Sequence, residues 1–133
     1  MTTSTSLIAA LSGALAGRMD IELAVLFGSF ARGRARLDSD ADVAVLGAKL
    51  DLLALAADLG QAARREVDVV DLRRAGYPLL HALLRDGIVL HQGAPGAAAR
   101  WRTQAILETE TDRPWFERMR NAFLKRLADG DHD

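Results

Sequence analysis

Apolar residues recur along this chain at two spacings, and each spacing predicts an element. Leu7, Ile8, Leu11 and Leu15 share one helical face, which predicts an amphipathic helix over residues 5–16. The run Ile21-Glu22-Leu23-Ala24-Val25-Leu26-Phe27 suits a strand buried on both faces. Gly28 ends that strand, Ser29 can cap a short helix over 30–34, and the polar, basic residues 33–39 read as a loop. A second strand is expected over 41–46. Leu52, Leu55, Ala56 and Leu59 then line one side of a helix between Leu50 and Ala63. A third strand covers 66–71. Pro78 opens a short helix that Gly87 closes, and Ile88-Val89-Leu90 makes a fourth strand. Pro95 and Gly96 break the chain before a helical tail expected in two segments, about 97–110 and 114–128. This alternation predicts an α/β (α+β-like) fold in which helices cover a small mixed sheet of about four strands. A core over 1–95 and a tail over 96–133 would form one domain.

Composition narrows the function classes. At 133 residues, half of them hydrophobic, the chain can bury a real core, which argues against disorder of its body. The 17 basic and 18 acidic residues leave a net charge of −1, which argues against binding nucleic acid through its phosphate backbone. The absence of cysteine excludes disulfides and thiolate metal sites. Leu7–Ala16 imitates a secretory leader, but the first basic residue is Arg18, so the amphipathic helix is the better reading and the cytoplasm the expected location.

Three features at the first three strands carry candidate chemistry. Gly28-Ser29 follows a hydrophobic strand; a residue without a side chain lets a ligand approach the backbone, and a helix start with a hydroxyl favours phosphate. A plain turn and cap would look the same. Asp40 and Asp42 are two residues apart, so on a strand they share a face, where two carboxylates repel unless a cation sits between them. A hard divalent ion would supply that neutralisation; a solvated loop is the bland alternative. Asp68 lies among valines in Val67-Asp68-Val69-Val70, and joins the other two if its strand lies beside the second. Three carboxylates in one place can hold two magnesium ions for attack at phosphorus. Asp71, at the end of the strand, is the competing third ligand.

Gly-Ser, ten intervening residues, Asp-x-Asp and a downstream Asp together resemble the minimal nucleotidyltransferases of the DNA polymerase beta superfamily. The likeness is strong through residues 26–46, from Leu26-Phe27-Gly28-Ser29 to Asp40-Ala41-Asp42-Val43, and Asp68 extends it to 70. Within the superfamily the chain is most similar to the MntA-type antitoxins of HepT/MntA modules. The resemblance implies a polymerase-beta-type fold, Mg2+ (two ions) as cofactor and ATP as substrate. Gly28 and Ser29 would hold the triphosphate, Asp40 and Asp42 both ions, and Asp68 the catalytic ion while helping to deprotonate the attacking hydroxyl. The activity implied is AMP transfer to a tyrosine of a HEPN-domain toxin, HepT, as the antitoxin of a type VII module. Arg32, one turn past Ser29, can contact phosphate through its guanidinium fork, or pair with Asp38 or Asp40.

Arg34 and Arg36 read as solvated loop charges. His81, His91 and His132 lack metal-ligand spacing, and the sole tyrosine, Tyr77, reads as packing before Pro78. Trp115, Met119, Phe123 and Leu127, four apart, form one stripe. A helix covering the sheet would account for most of it, with part left to dock a partner. Two other functions stay open: a non-catalytic module that neutralises its partner by binding, and a nucleotidyltransferase acting on a small molecule or nucleic acid beside a partner subunit.

Overall fold

The computed structural model describes residues 3–36 and 38–130. In chain order it runs α1 (Thr3–Leu15), β1 (Leu23–Phe27), β2 (Ala41–Leu46), α2 (Leu52–Ala63), β3 (Val67–Asp71), α3 (Tyr77–Asp86), β4 (Ile88–Gln92) and α4 (Ala97–Gly130), with one 3₁₀ turn at Leu72–Arg74. The strands form one mixed sheet in the order β3-β2-β1-β4. β1 pairs antiparallel with β2 and β4, whereas β2 and β3, joined through α2, are parallel. None of the described helices is long and apolar enough to cross a membrane.

Strand alternation sorts the side chains into two apolar layers. Ala24, Leu26, Val43, Val45 and Val67 pack with Leu7, Leu11 and Leu15 of α1 and Leu55 and Leu59 of α2. On the other face Leu23, Val25 and Ala44 meet Leu83 of α3 and Trp101 of α4. Both faces of β1 are thus covered, as its unbroken apolar run predicts.

Helix ends follow local chemistry. The Asp51 carboxylate accepts the Ala54 N–H at 3.1 Å and starts α2. Arg64 ends it in the left-handed region, at φ 55° and ψ 41°, with its N–H donating to the Gly60 carbonyl. Arg64 is the one non-glycine residue with positive φ among the described residues. That turn re-aims the chain toward β3, and Arg65, just ahead of that strand, reaches the Ser39 carbonyl just ahead of β2.

Three expectations fail. No helix forms over 30–34. The Arg34 N–H donates to the Ser29 carbonyl (2.8 Å), the Gly33 N–H donates to the Phe30 carbonyl (3.3 Å), and Gly33 adopts φ +71°. This is a helix C-terminal closure that arrives after a single turn, so Gly33 stops the helix as it begins. The tail is also one helix rather than two segments. Pro114 lies inside α4; it removes one backbone donor, and beside it Phe116 stacks on Tyr77 of α3 (centroids 4.9 Å apart), pinning the helix just past the proline. Nor does the stripe cover the sheet: Trp115, Met119, Phe123 and Leu127 are about half exposed. Residues 117–130 are exposed all round, because α3, the element α4 packs along, begins at Tyr77. His132 lies outside the described residues.

Candidate active site at the strand ends

The sheet register brings two of the predicted carboxylates side by side. Asp42 pairs with Asp68 across the parallel β2–β3 ladder and with Phe27 across the antiparallel β1–β2 ladder. Asp42 is half-buried and Asp68, on the edge strand, is exposed. Asp40 precedes β2 on exposed chain. Burial, then the charge of Asp68, then that of Asp40, push the Asp42 carboxyl above its ordinary value. The Asp40 and Asp68 carboxylates therefore both act electrostatically on Asp42.

Asp71 has a different place. It pairs with Val45, three residues further along the ladder, and alternation puts it on the opposite face from Asp68. Its carboxylate accepts the Arg73 N–H at 2.9 Å and caps the 3₁₀ turn; that bond and the Arg73 guanidinium hold it below its ordinary value.

Gly28 closes β1 at φ +77°. A Cβ built there would lie 2.5 Å from Oδ2 of Asp42. Any side chain at position 28 would therefore occupy the space that the Asp42 carboxylate uses, and would hold a backbone conformation that costs an L-residue about 1–2 kcal/mol. Ser29 follows in the single turn, and Arg32 ends that turn with its side chain in solvent. Among the described residues Arg32, Asp40 and Asp68 have no ion-pair partner, so neither of the pairings open to Arg32 forms.

The donor set suits a hard cation. Asp42 and Asp68 offer neighbouring carboxylate oxygens, and the unfavourable burial of Asp42 is what a divalent ion would relieve. Among the described residues no three His, Cys, Asp or Glu side chains are already gathered at ligating distances. Beside the two aspartates an open groove of about 620 Å³ runs between α2 and the β3 edge, walled by Phe27, Leu52, Leu53, Val70 and Leu79.

Residues 10–94 match the family described as Polymerase beta, Nucleotidyltransferase. The chain belongs to that nucleotidyltransferase family. Over 71 residues it is 41% identical to the protein adenylyltransferase MntA of Shewanella oneidensis, a stretch that is 50% of this chain and 51% of that protein. The chain thus spans about half the length of the curated relative it matches. Its fold superposes on a solved toxin–antitoxin structure with AMP-PNP at a TM-score of 0.66 and 26% identity, covering 94% of this chain and 98% of the other. It also matches a structure of tri-AMPylated Shewanella oneidensis HEPN toxin in complex with MNT antitoxin, at a TM-score of 0.60 and 25% identity over 95% of this chain and 96% of that one. The four-strand mixed sheet with a helical C-terminal tail is the architecture these family members share.

Arg65 was invisible to pattern reading. Its guanidinium Nη1 donates to the Ser39 carbonyl at 3.0 Å and its Cζ stands 4.7 Å from the centroid of the Phe30 ring. Both partners are remote in sequence, and nothing in Arg64-Arg65-Glu66 distinguishes it from a solvated basic pair.

Proposed function

We propose that this chain is a protein adenylyltransferase that moves AMP from ATP to a tyrosine of a HEPN-type toxin and thereby acts as its antitoxin in the cytoplasm. The observation that carries the reading is the Asp42–Asp68 cross-strand pair set against Gly28. The fold places two acids together at a cost to stability, beside a backbone position kept free of any side chain. The adenylyltransferase relative, the neighbour with AMP-PNP and the neighbour with a tri-AMPylated HEPN toxin support this substrate class.

In this reading Gly28 and Ser29 receive the triphosphate, Ser29 through its hydroxyl, and Arg32 brings an unpaired guanidinium to phosphate oxygens. Asp40, Asp42 and Asp68 would hold Mg2+, which when bound neutralises charge on the triphosphate and the departing pyrophosphate. Asp68, the most open of the pair, accepts the proton from the acceptor phenol as its oxygen bonds to the α-phosphorus. The bond from the α-phosphorus to the bridging oxygen breaks, pyrophosphate leaves, and the proton passes to solvent. The exposed stripe of α4 gives the protein substrate a place to dock.

The test is α-labelled ATP with magnesium, the purified chain and a HEPN-type partner protein, with Asp42→Asn as control. Label on a partner tyrosine, lost in the variant, is the expected result. An Asp42→Asn chain that neutralises the partner as well as the parent does would replace this reading with stoichiometric binding.

A further inference from the structure

The segment bearing Asp40 and the turn bearing Ser29 belong to different parts of the chain, and one side chain touches both. Arg65 donates to the carbonyl of Ser39, the residue before Asp40. The backbone carbonyl of the next residue, Glu66, accepts the N–H of Ala41, the residue after Asp40, at 3.0 Å. Asp40 is thus bracketed on both sides by the Arg65-Glu66 dipeptide. The same guanidinium lies over the ring of Phe30, which is buried in the main core and follows Ser29 directly.

From this geometry we infer that Arg65 is a positioning residue: it clamps the Gly28–Gly33 turn to the Asp40 segment, so that phosphate-binding groups and carboxylates keep a fixed separation. The inference rests on the nucleotidyltransferase reading of those residues, and on no contact of Arg65 with substrate. Arginine suits the task because its planar guanidinium can stack on a ring with its face and donate along its edge at once. The left-handed Arg64 supplies the backbone turn that delivers it. In-line transfer at phosphorus is sensitive to misplacement of this kind, since about 1 Å costs on the order of 100-fold in rate.

The experiment compares Arg65→Met, which keeps an unbranched apolar stem but loses the guanidinium and with it the hydrogen bond and the cation over the ring, with Arg65→Lys, which keeps a cation for the ring. In AMP transfer to the partner, Arg65→Met is expected to lower kcat about 10- to 100-fold with a change in KM for ATP of under about threefold. Arg65→Lys, which can make either contact but not both at once, should recover only part of the loss. Hydrogen exchange on the nucleotide-free chain gives a readout independent of activity: amides of residues 29–41 should exchange faster in Arg65→Met, while those of α3 and β4 stay unchanged. A folded Arg65→Met chain with parental kcat, or with exchange raised uniformly or not at all, overturns the inference. A wild-type chain that transfers no AMP defeats the adenylyltransferase reading instead, and the exchange experiment still decides the clamp.

Discussion

Replacing Asp42 with asparagine should make the protein more stable while abolishing its activity. Neighbouring strands lie about 4.8 Å apart, so the Asp42 and Asp68 carboxylates, paired across β2 and β3, repel at about 5–6 Å. That repulsion is about 0.8 kcal/mol in a water-like medium and about 3 kcal/mol at an effective dielectric of 20. Asp68 is exposed, which puts the pair near the lower figure, and the partial burial of Asp42 adds to it. A gain of about 1–2 kcal/mol follows for Asp42→Asn at neutral pH, or about 4–7 °C in Tm for a chain of this size. The pH dependence has a definite sign. The folded chain holds the Asp42 proton above the ordinary value of 3.8, where the unfolded chain has already released it. Stability from this group is therefore highest below 3.8 and falls as pH rises through the window up to the raised folded value, after which the penalty is constant. The gap in Tm between variant and parent should widen from pH 4 upward and then level off. Thermal melts by circular dichroism in EDTA, from pH 4 to 7.5, measure it. Magnesium should then raise the Tm of the parent and close the gap, without moving the variant. A variant that melts below the parent at pH 7.5 in EDTA, or a gap that ignores pH, would refute the reasoning.

Gly28→Ala should lose about 1–2 kcal/mol from its positive φ alone. Because the new methyl displaces the Asp42 carboxylate, AMP transfer should fall by more than about tenfold in protein that is still folded at 25 °C. Melts and single-turnover transfer on the same sample separate the two effects. A chain ending at residue 112 loses the Phe116–Tyr77 stack, for a stability loss of about 0.5–1.5 kcal/mol, and should stay folded. It should fail to bind the partner in sedimentation or pull-down, and retained binding would remove α4 from the docking surface.

How much of this was legible in the sequence depended on the range of the interaction. β1 and β2 announce themselves through apolar runs, and Asp40-x-Asp42 needs only strand alternation to suggest a common face. Asp68 required a further step, that β3 lies beside β2, and the parallel crossover through α2 supplies it. Alternation sets Asp68 and Asp71 on opposite faces of β3 but does not say which face carries the site; the Asp71 carboxylate is taken by the Arg73 N–H, a bond visible only in three dimensions. The helix expected over 30–34 failed because the capping signal of Ser29 was weighed without the closing signal of Gly33, four residues on. The two-segment tail failed because Pro114 was read by propensity alone, while the stacking of Phe116 on Tyr77 holds the helix through it. Arg65 lies 26 positions from Ser39, and no local rule connects them.

The length of α4 divides the molecule into two tiers of cooperativity. At 34 residues it is about 51 Å long, yet only its first half shares in the core. Residues 117–130 rest on helical propensity alone, and an isolated helix of that length is marginal in water. Amide exchange over these residues should therefore be fast and insensitive to changes in the sheet, and protection equal to that of the sheet would contradict this reading. A partner seated on their apolar stripe would have to order them first, so part of its contact energy would be absorbed there and its release would be faster than from a rigid platform of the same area.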